Sequence, residues 1–476
     1  MMNAVQMLRV ATAIAGLGLA GCATVSPDAG FSDVKDSIST RVEKEIYWKQ
    51  GGDADADVKA QIRTMLSDEL SVAKAVQIAL LNNPSLQATY EDLGIAQASL
   101  VQAGLLRNPM FHAQFRYPRS EGESNFDIEI VQSFMSIFTM PLRKRVAEHE
   151  FELAKLKVTG AVMDLALEVR KAYLDMQAAA QTEEMMAQVT DTTAASVYAA
   201  ERLHEAGNIT DLNLANQHAI HQDARLLLAT AQADVYTARE RLNVLMGLWG
   251  KDTQWTVTGR LSEPPEQDLA LDDIEKRVVA ENLELAMLRL QIEAAAKRLG
   301  LRKNTRLIPE FEAGFIVERD DGEYEDGFSV GFPLPIFDAG QARVAADVSN
   351  LRRWRQQYAA QAIAVRAEAR VRRAALGMAR SRAEHLKTVL LPLSQRMVNE
   401  TMLEYNAMQL GVFQLLRVQE RQIDLGRRYI QTLRDYWMAR SELEQLLDGR
   451  SAGGLGVMPV SAGNAGAVAP AQAGGH

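Results

Sequence analysis

The chain is written twice, and no other feature constrains its fold as much. Residues from about Leu70 to Gly247 recur from about Leu271 to Leu447. Ala238-Arg239-Glu240-Arg241-Leu242-Asn243-Val244-Leu245-Met246 lies over Ala439-Arg440-Ser441-Glu442-Leu443-Glu444-Gln445-Leu446-Leu447, an offset of 201. Pro109-Met110-Phe111-His112-Ala113 lies over Pro309-Glu310-Phe311-Glu312-Ala313, and Ile137-Phe138 over Ile336-Phe337. The offset drifts by only a residue or two, so the elements come in the same order in both halves. A repeat this long is no short-period solenoid. It predicts two copies of one large unit, packed side by side with pseudo-symmetry.

Within each copy the hydrophobic period changes twice. Ser71 to Ala103 reads as helix with a break at Asn82-Asn83-Pro84; Ser71 is a candidate cap, and Pro84 sits where a missing N–H costs least. The period then falls to 2. Phe111, Ala113, Phe115 and Tyr117 alternate with His112, Gln114 and Arg116. After a polar turn from Pro118 to Asn125, Phe126, Ile128 and Ile130 alternate with Asp127 and Glu129. This predicts a hairpin with one apolar and one polar face. The second copy repeats it with Phe311, Ala313, Phe315 and Val317, a turn from Arg319 to Asp326, and a return strand from Gly327. Each hairpin feeds a long helical segment. From Leu142 to about Glu205 there is no proline and only Gly160, roughly 95 Å of helix at 1.5 Å per residue. It breaks at Ala206-Gly207-Asn208 and returns to Met246. The partner segment starts near Gln341, turns near Asn406 to Gly411 and returns to Leu447, with Pro392 a candidate kink.

The predicted organisation is therefore a leader at 1–21, an N-terminal arm at 22–69, repeat 1 at 70–250, a linker at 251–270, repeat 2 at 271–449 and a tail at 450–476. The strands are expected at about 110–117, 125–138, 310–318 and 327–337, and the long helices at about 142–205, 210–247, 341–405 and 411–447. The leader's apolar run is too short to span a bilayer as a helix. It ends in Leu19-Ala20-Gly21-Cys22, a pattern that looks like a bacterial lipobox, with Cys22 as the lipid acceptor. Cys22 is the only cysteine, so packing rather than a disulfide must hold the chain together. The arm has weak helical patterning over Asp28 to Gln50 and Asp53 to Asp68. The tail is Gly, Ala, Val and Pro with little else, a composition expected to stay disordered. The net charge of −9 and the absence of a basic stripe argue against nucleic acid.

The strands decide what the parts can become. Strands in a bilayer must close into a barrel, and known single-chain barrels start at about eight strands. Four strands cannot close alone. Either the hairpins pack on a soluble core, or several chains share one barrel with Asp127, Glu129, Glu310 and Glu312 toward a wet lumen. Very long helical hairpins tied to short strands and a lipid anchor suit a hollow bundle projecting from a membrane. A periplasmic coiled-coil spacer lipoprotein without a pore is the alternative.

The chain resembles the TolC family of outer-membrane efflux channels, in its lipoprotein branch. The carrying residues are the lipobox at Cys22, Ala79-Leu80-Leu81-Asn82-Asn83-Pro84-Ser85-Leu86, Gly331-Phe332-Pro333-Leu334-Pro335-Ile336-Phe337-Asp338, Ala206-Gly207-Asn208-Ile209-Thr210-Asp211-Leu212 and Tyr405-Asn406-Ala407-Met408. Each is weak alone; their duplicated order is strong. The resemblance implies a mainly α fold with a small membrane β part, each protomer two pseudo-repeats of helix, β-hairpin and long helical hairpin. It implies a homotrimer with a shared twelve-strand barrel in the outer membrane of a Gram-negative bacterium and an α-barrel crossing the periplasm. The partners would be a periplasmic adaptor and an inner-membrane pump, of the RND type. Chains with a Tyr-Asn-Ala-Met turn look similar to members associated with heavy-metal resistance, so metal ions or drugs are the expected cargo.

The resemblance also assigns sites. Gly207, Asn208, Thr210 and Asp211 match the adaptor-docking turn, although Gly207, Thr210 and Asp211 also suit helix capping. Tyr405 matches a tyrosine that helps hold the closed tip, Met408 stands where the family has glycine, and Gly411 completes this second turn. Family members carry acidic residues that ring the pore; the matching positions here are Gln414 and Arg417. Arg417 with Glu404, Glu420 or Glu400 is thus a candidate latch, against a plain solvated helix face. His218 and His221 share a face with His204 across the turn, but no third ligand is evident and no metal site is expected. No cofactor beyond lipid on Cys22 is expected. No phosphate loop, His-Glu-x-x-His or nucleophile elbow is present, so an enzyme is not expected.

Overall fold

The computed structural model describes residues 25–117, 124–257, 259–267, 269, 271–305, 311–320, 323–407 and 409–452. The leader with Cys22, the tail from 453, most of the first hairpin's turn (118–123), Glu310 and Met408 lie outside the described residues.

In repeat 1, α3 (Val72–Asn82) and α4 (Pro84–Ala103) precede β1 (Met110–Arg116) and β2 (Asn125–Ser133). The helical hairpin follows, α5 (Met135–Glu205) and α6 (Asp211–Met246). Repeat 2 gives α7 (Ile274–Glu281), α8 (Leu283–Thr305), β3 (Glu312–Asp320) and β4 (Glu323–Gly331). It then gives α9 (Gln341–His385), a π-helical turn (Leu386–Leu390), α10 (Leu391–Asn406) and α11 (Val412–Leu447). The arm supplies α1 (Phe31–Val42) and α2 (Ala54–Ser67).

The pseudo-symmetry is local as well as global. Asn83 caps α4 by accepting from Leu86 N–H at 2.9 Å, and Asn282 caps α8 by accepting from Leu285 N–H at 2.9 Å. Each capping turn sits against the end of its repeat's last helix. Asn82 Nδ2 donates to the carbonyls of Met246 (2.9 Å) and Gly247 (2.8 Å), and Leu283 N–H donates to Gly449 O (2.8 Å). Gly247 and Gly449 both have positive φ, 66° and 97°. A Cβ on Gly247 would lie 2.9 Å from Asn82 O, and one on Gly449 would overlap Glu281 O, so only glycine suits either junction. Arg450, lying over Gly160, then ties the repeats: it pairs with Asp164 on α5 (2.6 Å) and with Glu284 on α8 (2.5 Å).

Several predicted bounds move. The first return strand stops at Ser133 rather than 138, because the N–H groups of Phe134 and Met135 both turn to Phe311 O (2.9 and 3.4 Å). Helix α5 therefore starts at Met135, seven residues early, with Pro141 inside it. The second hairpin is tighter than the predicted Arg319–Asp326 turn: Arg319 pairs with Tyr324 and Asp320 with Glu323. The Asp-Gly pair at 321–322, itself outside the described residues, is the two-residue hairpin signal that the wider turn overlooked. Strand β4 ends at Gly331 because Pro333 and Pro335 cannot donate to a ladder.

The arm is less helical than its pattern predicts. Helix α1 ends at Val42, and residues 43–50 run extended between side-chain amides. Gln77 accepts from Glu45 N–H (3.3 Å) and donates to Glu45 O (2.8 Å); Gln87 accepts from Lys49 N–H (2.8 Å) and donates to Tyr47 O (2.9 Å). Phe31 meets Tyr90 edge-on at 5.1 Å, and Trp48 donates to Glu91 at 2.9 Å. The arm thereby enlarges the core of repeat 1, which runs from Val34 and Ile38 through Leu80 and Tyr90 to Val162 and Leu242. Repeat 2 has a smaller one around Val278, Val365, Tyr436 and Leu443.

Candidate functional site

The four strands form one antiparallel sheet in the order β1-β2-β3-β4, so β2 and β3 join the repeats and β1 and β4 are its edges. Register sorts the faces. One row across the sheet is Phe111, Ile130, Phe315 and Phe328; the next is Ala113, Ile128, Val317 and Asp326. Phe115, Phe126 and Tyr324 extend the same face. In the chain this apolar face is uncovered: Phe328 is 86% exposed and Phe111 65%. Aromatic pairs line it, Phe315 with Phe328 at 5.6 Å and Phe126 with Tyr324 at 5.9 Å.

The opposite face is acidic. Gln114, Asp127, Glu318 and Glu325 lie in one row, three carboxylates side by side. Arg116 reaches Glu318 at 3.0 Å. Glu129 and Glu312 share this face. No helix among the described residues is long and apolar enough to cross a membrane. An even number of alternating strands leaves β1 and β4 antiparallel, so the edge of one copy can pair with the edge of the next.

At the other end of the long helices lie the two turns. In the first, Gly207 is left-handed (φ 72°), its N–H donates to His204 O (2.8 Å), and Asn208 N–H donates to Leu203 O (2.8 Å). Thr210 caps α6 by accepting from Asn213 N–H at 3.3 Å. Asp211 lies 2.6 Å from His204 Nε2, tying the two helices across the turn. The turn is thus fully capped yet presents exposed groups, including Leu203 and Leu212.

The second turn is built differently. Gln409 N–H donates to Glu404 O (2.9 Å), and Gly411 caps α11 with an ordinary extended backbone, φ −78°. Gln414 accepts from Gly411 N–H at 3.2 Å, half of a capping box whose other half glycine cannot supply. That gives Gln414 a capping contact within the chain. Tyr405 is half-buried, and its hydroxyl makes no hydrogen bond among the described residues. Arg417 and Glu404 are exposed; no ion pair joins Arg417 to Glu404, Glu420 or Glu400 within the chain among the described residues. His218 faces Glu201 at 3.5 Å and His221 faces Thr193 at 3.1 Å, each joining α5 to α6 rather than converging. Among the described residues no cluster of three or more metal-ligating side chains occurs.

Partway along the bundle, two features go beyond the linker at 251–270 and the kink at Pro392 that the sequence suggested. The link at 259–267 is wound across the helices, and the π turn at Leu386–Leu390 interrupts the second hairpin just before Pro392. A signal for the π turn existed. The offset between copies grows by two, from 199 at Ile137-Phe138 to 201 at Ala206 over Ala407, and a π turn absorbs one of the added residues.

Comparison with known proteins agrees with this architecture. The family described as "Outer membrane efflux protein" matches residues 75–248. The cobalt-zinc-cadmium resistance protein CzcC of Cupriavidus metallidurans is 23% identical over 390 residues, covering 79% of this chain and 90% of that protein. The crystal structure of CusC superposes with a TM-score of 0.67 at 14% identity, covering 80% of this chain and 92% of that one. The outer membrane protein VceC of Vibrio cholerae gives a TM-score of 0.65 at 14% identity, covering 82% and 97%. These likenesses establish a TolC-like fold, and the match to the outer membrane efflux protein family lies on the first of its two repeats.

Proposed function

We propose that this chain is the outer-membrane channel of a tripartite efflux system, a passive duct without an energy source of its own. The observation that carries the reading is the sheet: an uncovered face that is apolar except for Asp326 and Arg319 near the hairpin turn, an acidic opposite face and two open edges on only four strands. Open edges in hydrocarbon leave backbone groups unpaired, so the sheet needs further copies of itself. Three copies of a four-stranded sheet make about twelve strands, well inside the range of closed membrane barrels. The apolar face then meets lipid and the carboxylates line water.

In this reading Cys22 carries the lipid anchor, and the turns around Gly207, Asn208, Thr210 and Asp211 and around Tyr405, Met408 and Gly411 dock a periplasmic adaptor that links to an RND-type pump. Arg417, with Gln414 and Glu404 nearby, acts at the tip between copies rather than within one. Cargo is heavy-metal cations; the similarity to a protein named for cobalt, zinc and cadmium resistance supports this, as does the carboxylate row at Asp127, Glu318 and Glu325.

The deciding measurement is the mass of protein extracted in detergent from outer membranes. Three chains per particle are expected. A monomer, or protein released by cleaving only the segment that follows Cys22, would mean that the hairpins never entered the bilayer.

A further inference from the structure

The link between the repeats begins against α6, where Arg239 donates to Trp255 O (2.7 Å), and then contacts α5, α9 and α11. Arg260 Nη2 holds Glu184 Oε1 at 2.5 Å, and Leu261 N–H donates to Gln181 Oε1 at 3.3 Å, both on α5. Leu261 is buried with Ala178, Ala383, Ile430 and Leu433. Ser262 O accepts from Trp437 Nε1 on α11 at 2.7 Å, and Glu266 O accepts from Arg380 Nη2 on α9 at 2.9 Å. Between them, Glu263 takes two partners from the second hairpin: Lys387 inside the π turn, and the Tyr429 hydroxyl of α11 at 3.5 Å.

That level of the bundle is where the second hairpin is weakest. Leu391 N–H reaches back to Leu386 O, five residues instead of four, and Pro392 has no N–H to give. The ladder is thus short of bonds at one point, the usual cause of a bend. Only Ser394 is buried along α10. The Arg434–Asp175 contact (3.7 Å) joins the two helical hairpins on the core side of this level. Met185 packs against Gly426, where a Cβ would lie 2.9 Å from the sulfur. The first hairpin has no such break: α5 is continuous through 71 residues, and Thr190 and Thr193 bond across to Ala224 O and His221.

We propose that the π turn with Pro392 is a hinge and that Glu263 is its latch. While Glu263 holds Lys387 and Tyr429, the tip half of the second hairpin stays against the first. When Glu263 lets go, that half tilts and the aperture at the tip widens. Glu263 is a positioning residue; it lies far along the chain from either tip turn. This rests on the channel reading above.

The test is conductance of the purified full-length protein in planar bilayers, without adaptor, for wild type, Glu263→Ala and the swap Glu263→Lys with Lys387→Glu. Exposed ion pairs are individually weak, so about a twofold rise in the open population, read as time-averaged conductance, is expected per latch, on the order of eightfold when three latches share one aperture. The swap returns conductance toward wild type, which mere loosening of the link would not do. Particle mass in detergent is followed for each variant. Unchanged conductance in Glu263→Ala, or a changed particle mass, overturns the latch while leaving the channel intact. A wild type that forms no pore overturns the channel reading itself, and the latch falls with it.

Discussion

The first and second helical hairpins descend from one pattern and end as different machines. The first is a continuous helix of 71 residues that returns through a fully capped turn, with Thr210, Asp211 and His204 closing it. The second is split by a π turn and returns through a turn capped by Gly411 and Gln414. At their far ends the two hairpins are nearly identical in design, each stopping on a left-handed glycine against an asparagine-capped helix. Rigidity is therefore shared where the hairpins join the core and divided where they leave it.

Five substitutions probe that comparison. The largest effect is expected at the common ends. Gly247→Val and Gly449→Val each place a β-branched side chain at positive φ against a carbonyl, so each should destabilise the protein by about 3 kcal/mol or more. Urea unfolding of the detergent-solubilised protein reads this. Equal losses would support the equivalence of the two junctions, and a silent Gly449→Val would break it.

The turns should respond in opposite directions. Thr210→Ala removes a cap and should cost about 1 kcal/mol. Gly411→Asp adds one at a position with ordinary φ and open space, and should gain a few tenths to about 0.5 kcal/mol. Equal signs in the same unfolding assay would mean that the turns are built alike after all.

The smallest effect is a pH slope at the end of the second repeat. Asp448 is pushed up to about 6, chiefly by burial, with Arg170 pulling it back. A carboxyl raised in the folded state binds more protons there than in the unfolded chain, so stability falls as pH climbs from about 4 to 6. Asp448→Asn should flatten the stability profile across that window and leave it unchanged below. The first repeat has Leu245 to Leu248 at the matching place, with no carboxylate, so its junction should contribute no such slope, although Asp175 on its long helix is also raised by burial. A profile that keeps its slope in Asp448→Asn would assign it to another group, Glu284 first, since burial also raises its carboxyl.

Much of the molecule was legible in the chain. Period-2 and period-3.6 stretches located both hairpins and all four long helical stretches, because each has one apolar face and one polar face. Alternation at Phe126, Ile128 and Ile130 gave the sheet its faces before any register was known. The arm was not legible, because its extended part is held by Gln77 and Gln87, whose amides have no periodic signature. The link was not legible either, since Glu263 gains meaning only from Lys387 and Tyr429, which lie 124 and 166 residues away.

By itself the sequence determined that there are two copies, what each contains, where each turns and which residues share the apolar face of the sheet, since these depend on local periodicity and on steric limits such as proline's missing N–H. Only the tertiary structure decided that β2 and β3 join the copies into one sheet, that Arg450 ties α5 to α8, and that the link straps the bundle at the π turn. Those are contacts between residues far apart in the chain. Their energies come from packing, charge and hydrogen bonding in three dimensions, which no stretch of sequence records.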